Sequence, residues 1–294
     1  MAVFDWYQAT VEESPVWLRD ALQTALPGSS WADCKQLSGF AKGEELMYEG
    51  QGLLKMNYGG HNPFPNLVAD GAPAQLAADL IRKVSPAHLV SRADACVDVD
   101  QAGWFEKTFA VMVDLVDAHR VKPQHNGDWI TQDGGRTFYL GAPSSPTRVR
   151  LYEKGKQLRN KFPEAADSFP DTWCRLEIQV RPAKRDKKMM LASVAPEAFW
   201  GCSAYSQELA YRVLDADTPR LKVGTVWRAS ELERAEYYLL RQYERAFRAM
   251  YDRLGSWEAV GTHIGRKLDD PRSPEELADF DRHLQELNRR LTLN

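Results

Sequence analysis

The chain has 294 residues, 44% hydrophobic and 27% charged, with a formal charge of −3, which makes it an ordinary globular protein large enough for one big domain or two small ones. No apolar run approaches the roughly 20 residues that span a bilayer, and the opening MAVFDWYQATVEES has no basic start followed by an apolar stretch, so a cytoplasmic protein is expected. The four cysteines, Cys34, Cys96, Cys174 and Cys202, form no CxxC pair, which argues against a zinc cluster or a disulfide framework and predicts reduced, mostly buried thiols.

In chain order, Val3 to Thr10 reads as a strand and Pro15 to Leu26 as a helix, with Trp17, Leu18, Leu22 and Leu26 apolar. Strand pieces follow around Glu45 to Tyr58, then a helix from Pro73 to Val84 with Leu76, Leu80 and Ile81 on one side. The order then restarts. A strand at Arg92 to Val99 precedes a helix from Trp104 to His119 and a hairpin from Trp129 to Leu140 that turns at Asp133-Gly134-Gly135. Strands around Tyr152 and Glu177 and a helix from about Pro182 complete the second set. Each half reads strand, helix, meander, helix, which predicts an α+β protein of two split βαβ-like halves. They would join into one continuous antiparallel sheet with helices on one side, followed by C-terminal helices. The expected domains are 1–215, with halves of about 1–88 and 89–215, and an accessory helical region 216–294. In that register Asp5 is the counterpart of Asp94.

The accessory region contains the helix pattern Ser230 to Leu254, with Glu233 completing a capping box, and a second from Ser273 to Leu291. These helices are expected to cover the sheet, position DNA or pair two chains into a homodimer. The stripe Tyr237, Tyr238, Tyr243, Phe247 and Tyr251 reads as packing rather than base stacking.

Three stretches carry the chemistry. Successive side chains of a strand point to opposite faces, so RVRLYEKGK sets Arg148, Arg150, Tyr152 and Lys154 on one side and Val149 and Leu151 on the other. RADACVDV does the same with Arg92, Asp94, Cys96 and Asp98, and CRLEIQVR with Arg175, Glu177, Gln179 and Arg181. In one sheet these polar sides form a surface of carboxylates, arginines and a tyrosine. Between Arg148 and Lys188 there are twelve Lys and Arg against six acids, so this stretch is +6 and the remainder −9, a distribution suited to local phosphate attraction.

The sequences GGRTFYLGAPSSPTRVRLYEKGKQ and WCRLEIQVRP, with SRADACVDV and NYGGHNPFPN upstream, resemble the trans-type rolling-circle replication initiators, a family that includes plasmid and filamentous-phage initiators and related relaxases. The resemblance runs from about Leu54 to about Tyr211. It implies a site-specific DNA-nicking enzyme whose tyrosine joins the 5′ phosphate and leaves a 3′ hydroxyl to prime replication. Its partner would be origin DNA, duplex or hairpin with a single-stranded nick site, with a host helicase and polymerase acting alongside.

Independently of the resemblance, reversible phosphodiester cleavage needs a nucleophile, cationic donors for the nonbridging oxygens and a divalent cation. A hard cation, Mg²⁺ or Mn²⁺, prefers oxygen ligands. Asp94 and Glu177 are the candidates, ahead of Asp98, Asp100 and Asp5. The six histidines include no pair separated by one residue, and His61 lies in a loop. Arg148, Arg150, Lys154, Arg175 and Arg181 are the candidate DNA contacts. Tyr152 is the first candidate nucleophile, expected to be favoured as phenolate by its cations. Tyr205 and Tyr211 follow, since some members of the family carry their tyrosine on a later helix, and Tyr139 comes last. The alternative function is a noncatalytic origin-binding or regulatory protein using the same basic sheet.

Overall fold

Residues 1–223, 239–240 and 242–269 are described by the structure, a computed structural model, and they fall in two compact units, Met1–Thr225 and Val226–Asn294. The first half of the larger unit comprises β1 (Val3–Thr10), α1 (Pro15–Ala25), β2 (Ser30–Asp33), β3 (Lys42–Tyr48), β4 (Gln51–Tyr58), β5 (Asn66–Asp70) and α2 (Ala74–Val84). The second comprises β6 (Leu89–Asp100), α3 (Trp104–His119), β7 (Pro123–Gly127), β8 (Arg136–Leu140), β9 (Thr147–Tyr152), α4 (Lys154–Lys161), β10 (Trp173–Val180), α5 (Arg185–Leu191) and α6 (Ala204–Leu214), with 3₁₀ turns at Pro163–Ser168 and Pro196–Cys202.

The ten strands form one sheet in the order β2-β3-β4-β5-β1-β6-β10-β9-β8-β7, antiparallel at every pairing. The second half repeats the first outward from a seam between β1 and β6, so the duplicated α+β fold read from the sequence is the fold observed. At the seam Phe4 faces Ala95 and Trp6 faces Asp94, with a register shift between them that leaves Asp5 as the extra residue. Asp94 lies deeper than expected, because β6 begins at Leu89 rather than Arg92.

One face of the sheet is apolar and is covered by helices. Phe4, Tyr7, Leu67, Val90, Val149, Leu151, Leu176 and Ile178 are buried there together with Leu18 and Leu22 of α1 and Ile81 of α2. Each such side chain contributes roughly 1.5–3 kcal/mol on leaving water. Ser14 caps α1 by accepting from the Trp17 N–H at 3.2 Å, and Pro15 supplies a first position that needs no donor. Under the seam, Phe199 meets Phe4 edge-on at 5.2 Å. Arg82 lies over the Phe4 ring and donates to the carbonyls of Ala192 at 2.8 Å and Val194 at 2.6 Å.

Beside this packing, the Tyr7 hydroxyl donates to His88 Nε2 at 2.6 Å and His88 Nδ1 donates to the Ser85 carbonyl at 2.6 Å. Burial pushes His88 below its ordinary value, more than the Ser85 carbonyl raises it, and Arg82 lowers it further. The stability this contributes is present above the ordinary imidazole value of about 6.5 and is lost as pH falls through the lower folded value. The melting temperature is therefore expected to decline from pH 7 to pH 5, and to decline less in His88→Gln; equal slopes in the two proteins exclude His88 as the source.

Several expectations are corrected. The strand carrying Tyr152 ends at that residue, and Lys154 opens α4 instead of sharing the strand face. Two contacts force the bend. The Glu153 carboxylate accepts from the Arg136 N–H at 2.7 Å, and a Cβ on Gly155 would lie 1.8 Å from the Pro170 carbonyl oxygen, so only glycine admits that close approach. The hairpin expected at Trp129 to Leu140 is formed by β7 and β8, with 128–135 as its loop and Trp129 within it. The helix expected from Pro182 starts at Arg185. The thiols are free, and Cys96, Cys174 and Cys202 are buried.

In the second unit α7 (Glu244–Leu254) and α8 (Trp257–Asp269) are described, with the rings of Tyr251 and Trp257 4.8 Å apart. A single helix from Ser230 to Leu254 is not what the described part shows, since α7 starts at Glu244 after a non-helical Tyr243. Tyr237, Tyr238 and the helix expected at Ser273 to Leu291 lie outside the described residues.

Candidate active site

The three alternating stretches come together as neighbouring strands β9, β10 and β6, and strand register converts their polar sides into rows. One row is Tyr139, Arg150, Glu177 and Cys96; the next is Thr137, Tyr152, Arg175 and Asp98; a third is Arg148, Gln179, Asp94 and Trp6. Opposite charges meet within and between the rows. Arg150 Nη2 donates to Glu177 at 2.5 Å. Arg92 grips Asp94 through Nε at 3.0 Å and Nη2 at 2.5 Å, and Gln179 donates to Asp94 at 3.2 Å. Arg175 forks onto Asp98, both bonds 2.7 Å, and reaches Asp5 across the seam at 2.6 Å. The seam bulge turns Asp5 to this face, so the N-terminal half contributes a carboxylate to a cluster built on the other half.

Glu177 is 3% exposed and Asp94 2% exposed. Burial pushes the Glu177 carboxyl above the usual range; Arg150 opposes this and the nearby Asp94 adds to it. Oxygen donors on adjacent strands whose charges repel are the chemistry a hard cation accommodates. As the side chains stand, Arg150 engages Glu177 and Arg92 engages Asp94. Among the described residues no group of three or more His, Cys, Asp and Glu is arranged to hold a metal. Asp100 accepts from the Thr172 hydroxyl at the end of β6. His61 is exposed in the β4–β5 connection, three strands from β6.

Tyr152 lies on the polar face at 4% exposure, with the Arg150 guanidinium 4.4 Å from its ring centre and Lys154 Nζ at 5.6 Å. The expected phenolate is not favoured. Burial raises its pKa and the Glu177 charge raises it further, and together these outweigh Arg150 and Arg175. Tyr139 shares the face, half-buried beneath Arg148 at 3.9 Å. Tyr205 and Tyr211 belong to α6, which packs on α3 in the helical layer. The Tyr205 hydroxyl donates to the Thr147 carbonyl at 2.6 Å and burial pushes it up to about 12, while Tyr211 is 65% exposed.

Arg148 and Arg150 each hold an enclosed Nε–H without an acceptor. Arg148 donates to Gln124 at 2.8 Å and Arg181 to the Pro143 carbonyl at 3.1 Å. Two contributions escaped the strand patterns. Trp6 stacks under Arg92 at 4.3 Å with its own indole N–H unpaired; the alternation Trp6, Gln8 in DWYQ was the available signal. Glu153, which looked like one more acid in the motif, is structural.

Residues 107–251 match the model of Rep_trans, the replication initiation factor family. The match spans just under half of the chain, and over it the chain is similar to that family. The match holds RTFYLG, RVRLYEKGK and RLEIQVRP but begins inside α3, so the initiator motifs lie within it while Asp5 and Asp94 lie outside it. A solved rolling circle replication initiator protein from Geobacillus stearothermophilus is similar at TM-score 0.47 and 22% identity, covering 68% of this chain and 82% of that one. No curated protein matches the chain. No described helix of the chain is long and apolar enough to cross a membrane.

Proposed function

We propose that this chain nicks and rejoins one strand of origin DNA through a covalent tyrosine ester, using the polar face of β6, β10 and β9. The observation that carries the reading is the convergence on that face of Tyr152, the cations Arg150 and Arg175, and the carboxylates Asp94 and Glu177. A scissile phosphate seated among Arg148, Arg150, Lys154 and Arg175 would receive guanidinium donors, two of which now lack acceptors. Arg181, at the end of β10, extends the contact along the backbone. The Tyr152 oxygen forms a bond to phosphorus as the bond to the 3′ oxygen breaks. The tyrosine proton is released and the leaving oxygen takes one up, so the ester keeps the energy needed for rejoining. The raised value of Tyr152 keeps it neutral at rest, so its proton leaves as the bond to phosphorus forms. Asp94 and Glu177, with Asp5 beside them, would hold Mg²⁺ or Mn²⁺, which when bound neutralises charge on the phosphate.

A pool of randomised single-stranded oligonucleotides tests this directly. Incubated with Mg²⁺ or Mn²⁺, the full chain is expected to yield a protein–DNA adduct that survives denaturing electrophoresis and is absent with chelator. The competing reading, a noncatalytic origin-binding protein, draws on the arginine-engaged carboxylates and the buried Tyr152. It is the conclusion if binding is strongly salt-dependent and neither metal gives an adduct.

A further inference from the structure

The loop 128–135 between β7 and β8 departs at Trp129 and Ile130 from the usual chemistry of turns, which favour polar residues, glycine and proline. Near its tip stands Ile130, 93% exposed. The loop that displays it is fastened from three directions. The Asp128 carboxylate accepts from the N–H groups of Ile130 at 3.1 Å, Thr131 at 2.9 Å, Asp133 at 3.1 Å and Gly134 at 3.4 Å, and from the Thr131 hydroxyl. These bonds hold the Asp128 carboxyl well below the usual carboxylate range, so they persist through neutral and mildly acidic pH. Trp129 turns inward onto Phe109 at 5.1 Å and Phe105 at 6.1 Å. From α4, Lys156 donates to the Gln132 carbonyl at 2.6 Å and Asn160 to the Gly134 carbonyl at 3.2 Å.

Ile130 is therefore an apolar side chain held in water by a loop that cannot fold it away. Burying it against another apolar surface would be favourable. The helix that braces the loop, α4, contains Lys154, Lys156, Arg159 and Lys161 and no acid, and Phe162 immediately after it is 38% exposed. Tyr152, one residue before the α4 cap, joins this region to the proposed nicking face. Lys156 is engaged by Gln132 and Glu153, and Arg159 by Phe169 and Asp171. This leaves Lys154 and Lys161 to meet phosphates while the aliphatic tip enters between bases, as in proteins that unstack a step with an apolar wedge.

We propose that Ile130 is a wedge that unstacks the base step next to the nick site, so that a duplex or hairpin origin presents its strand to the polar face. This rests on the DNA-binding reading above, and the experiment separates the two. The probes are a synthetic DNA hairpin carrying 2-aminopurine beside its loop, and a plain single strand followed by fluorescence anisotropy. The full chain is expected to bind both and to raise the 2-aminopurine emission severalfold at saturation. Ile130→Ser is expected to lose most of that rise, Ile130→Leu to restore it, and both to bind the single strand within about twofold of the parent, as an exposed substitution should. A parental rise retained in Ile130→Ser, or saturated parental binding with no rise, overturns the wedge. Failure of the parent to bind either probe overturns the DNA-binding reading and the wedge with it.

Discussion

Tyr152→Phe is expected to abolish the proposed covalent protein–DNA adduct, while Tyr139→Phe, Tyr205→Phe and Tyr211→Phe are expected to retain it. Losing a covalent nucleophile costs up to about 10⁶ in rate where it has been isolated, so the adduct should fall below detection rather than weaken. The ranking of the tyrosines is geometric. Tyr152 stands in the row of Arg175 and beside the row of Arg150 and Glu177, whereas Tyr139 lies two strands from Glu177. Tyr205 spends its hydroxyl on the Thr147 carbonyl, and Tyr211 stands on α6, which packs against α3 in the helical layer. DNA binding measured on the Tyr152→Phe protein should stay near parental, because Phe preserves the ring beneath Arg150. An adduct that survives in Tyr152→Phe and disappears in Tyr139→Phe moves the nucleophile one strand outward, to the more exposed tyrosine of the same face.

The largest stability effect is expected at Glu153. Its carboxylate accepts from the Arg136 N–H at 2.7 Å, Nε at 3.1 Å and Nη2 at 3.0 Å, and pairs with Lys156 at 3.0 Å. Arg136 is 8% exposed and Glu153 5% exposed. Glu153→Ala leaves that guanidinium over the Phe105 ring with Glu106 as its remaining partner, a carboxylate whose side chain is 60% exposed. Stranding one member of a buried pair costs about 3 kcal/mol or more, whereas replacing both members with apolar residues of similar volume is far less harmful. Urea unfolding should show the single substitution losing about 3 kcal/mol and the Arg136→Met, Glu153→Leu double substitution recovering part of it. A loss under about 1 kcal/mol, the value of an exposed pair, sinks the assignment.

The polar face was legible because period-two alternation is a property of each strand alone, and β6, β9 and β10 all carry it. That they lie side by side was a condition of the reading, met by the pairing of β10 with both β6 and β9. What alternation cannot reveal is where a strand stops or which residue faces which. Lys154 follows Tyr152 in perfect alternation, yet the chain bends there because Glu153 and Gly155 answer to Arg136 and Pro170. NLVAD went unread as β5 because its first four residues are all buried, so nothing alternates, and β2 is only four residues long. Tyr152 was misjudged in ionisation for a related reason. Its cations are visible in the motif, but the burial that outweighs them depends on the neighbouring strands.

The seam between β1 and β6 also sets an order of assembly. A chain made from its N-terminus completes β1 to β5 and α2 while the flank of β1 that will receive β6 has no strand beside it, and an unpaired strand edge invites association with other chains. That edge closes only when Leu89–Asp100 arrives. The same pairing brings Asp5 to Arg175, residues separated by 170 positions. Completion of the polar face thus reports that the two halves have found each other, and a chain with an unclosed seam lacks one carboxylate of that face.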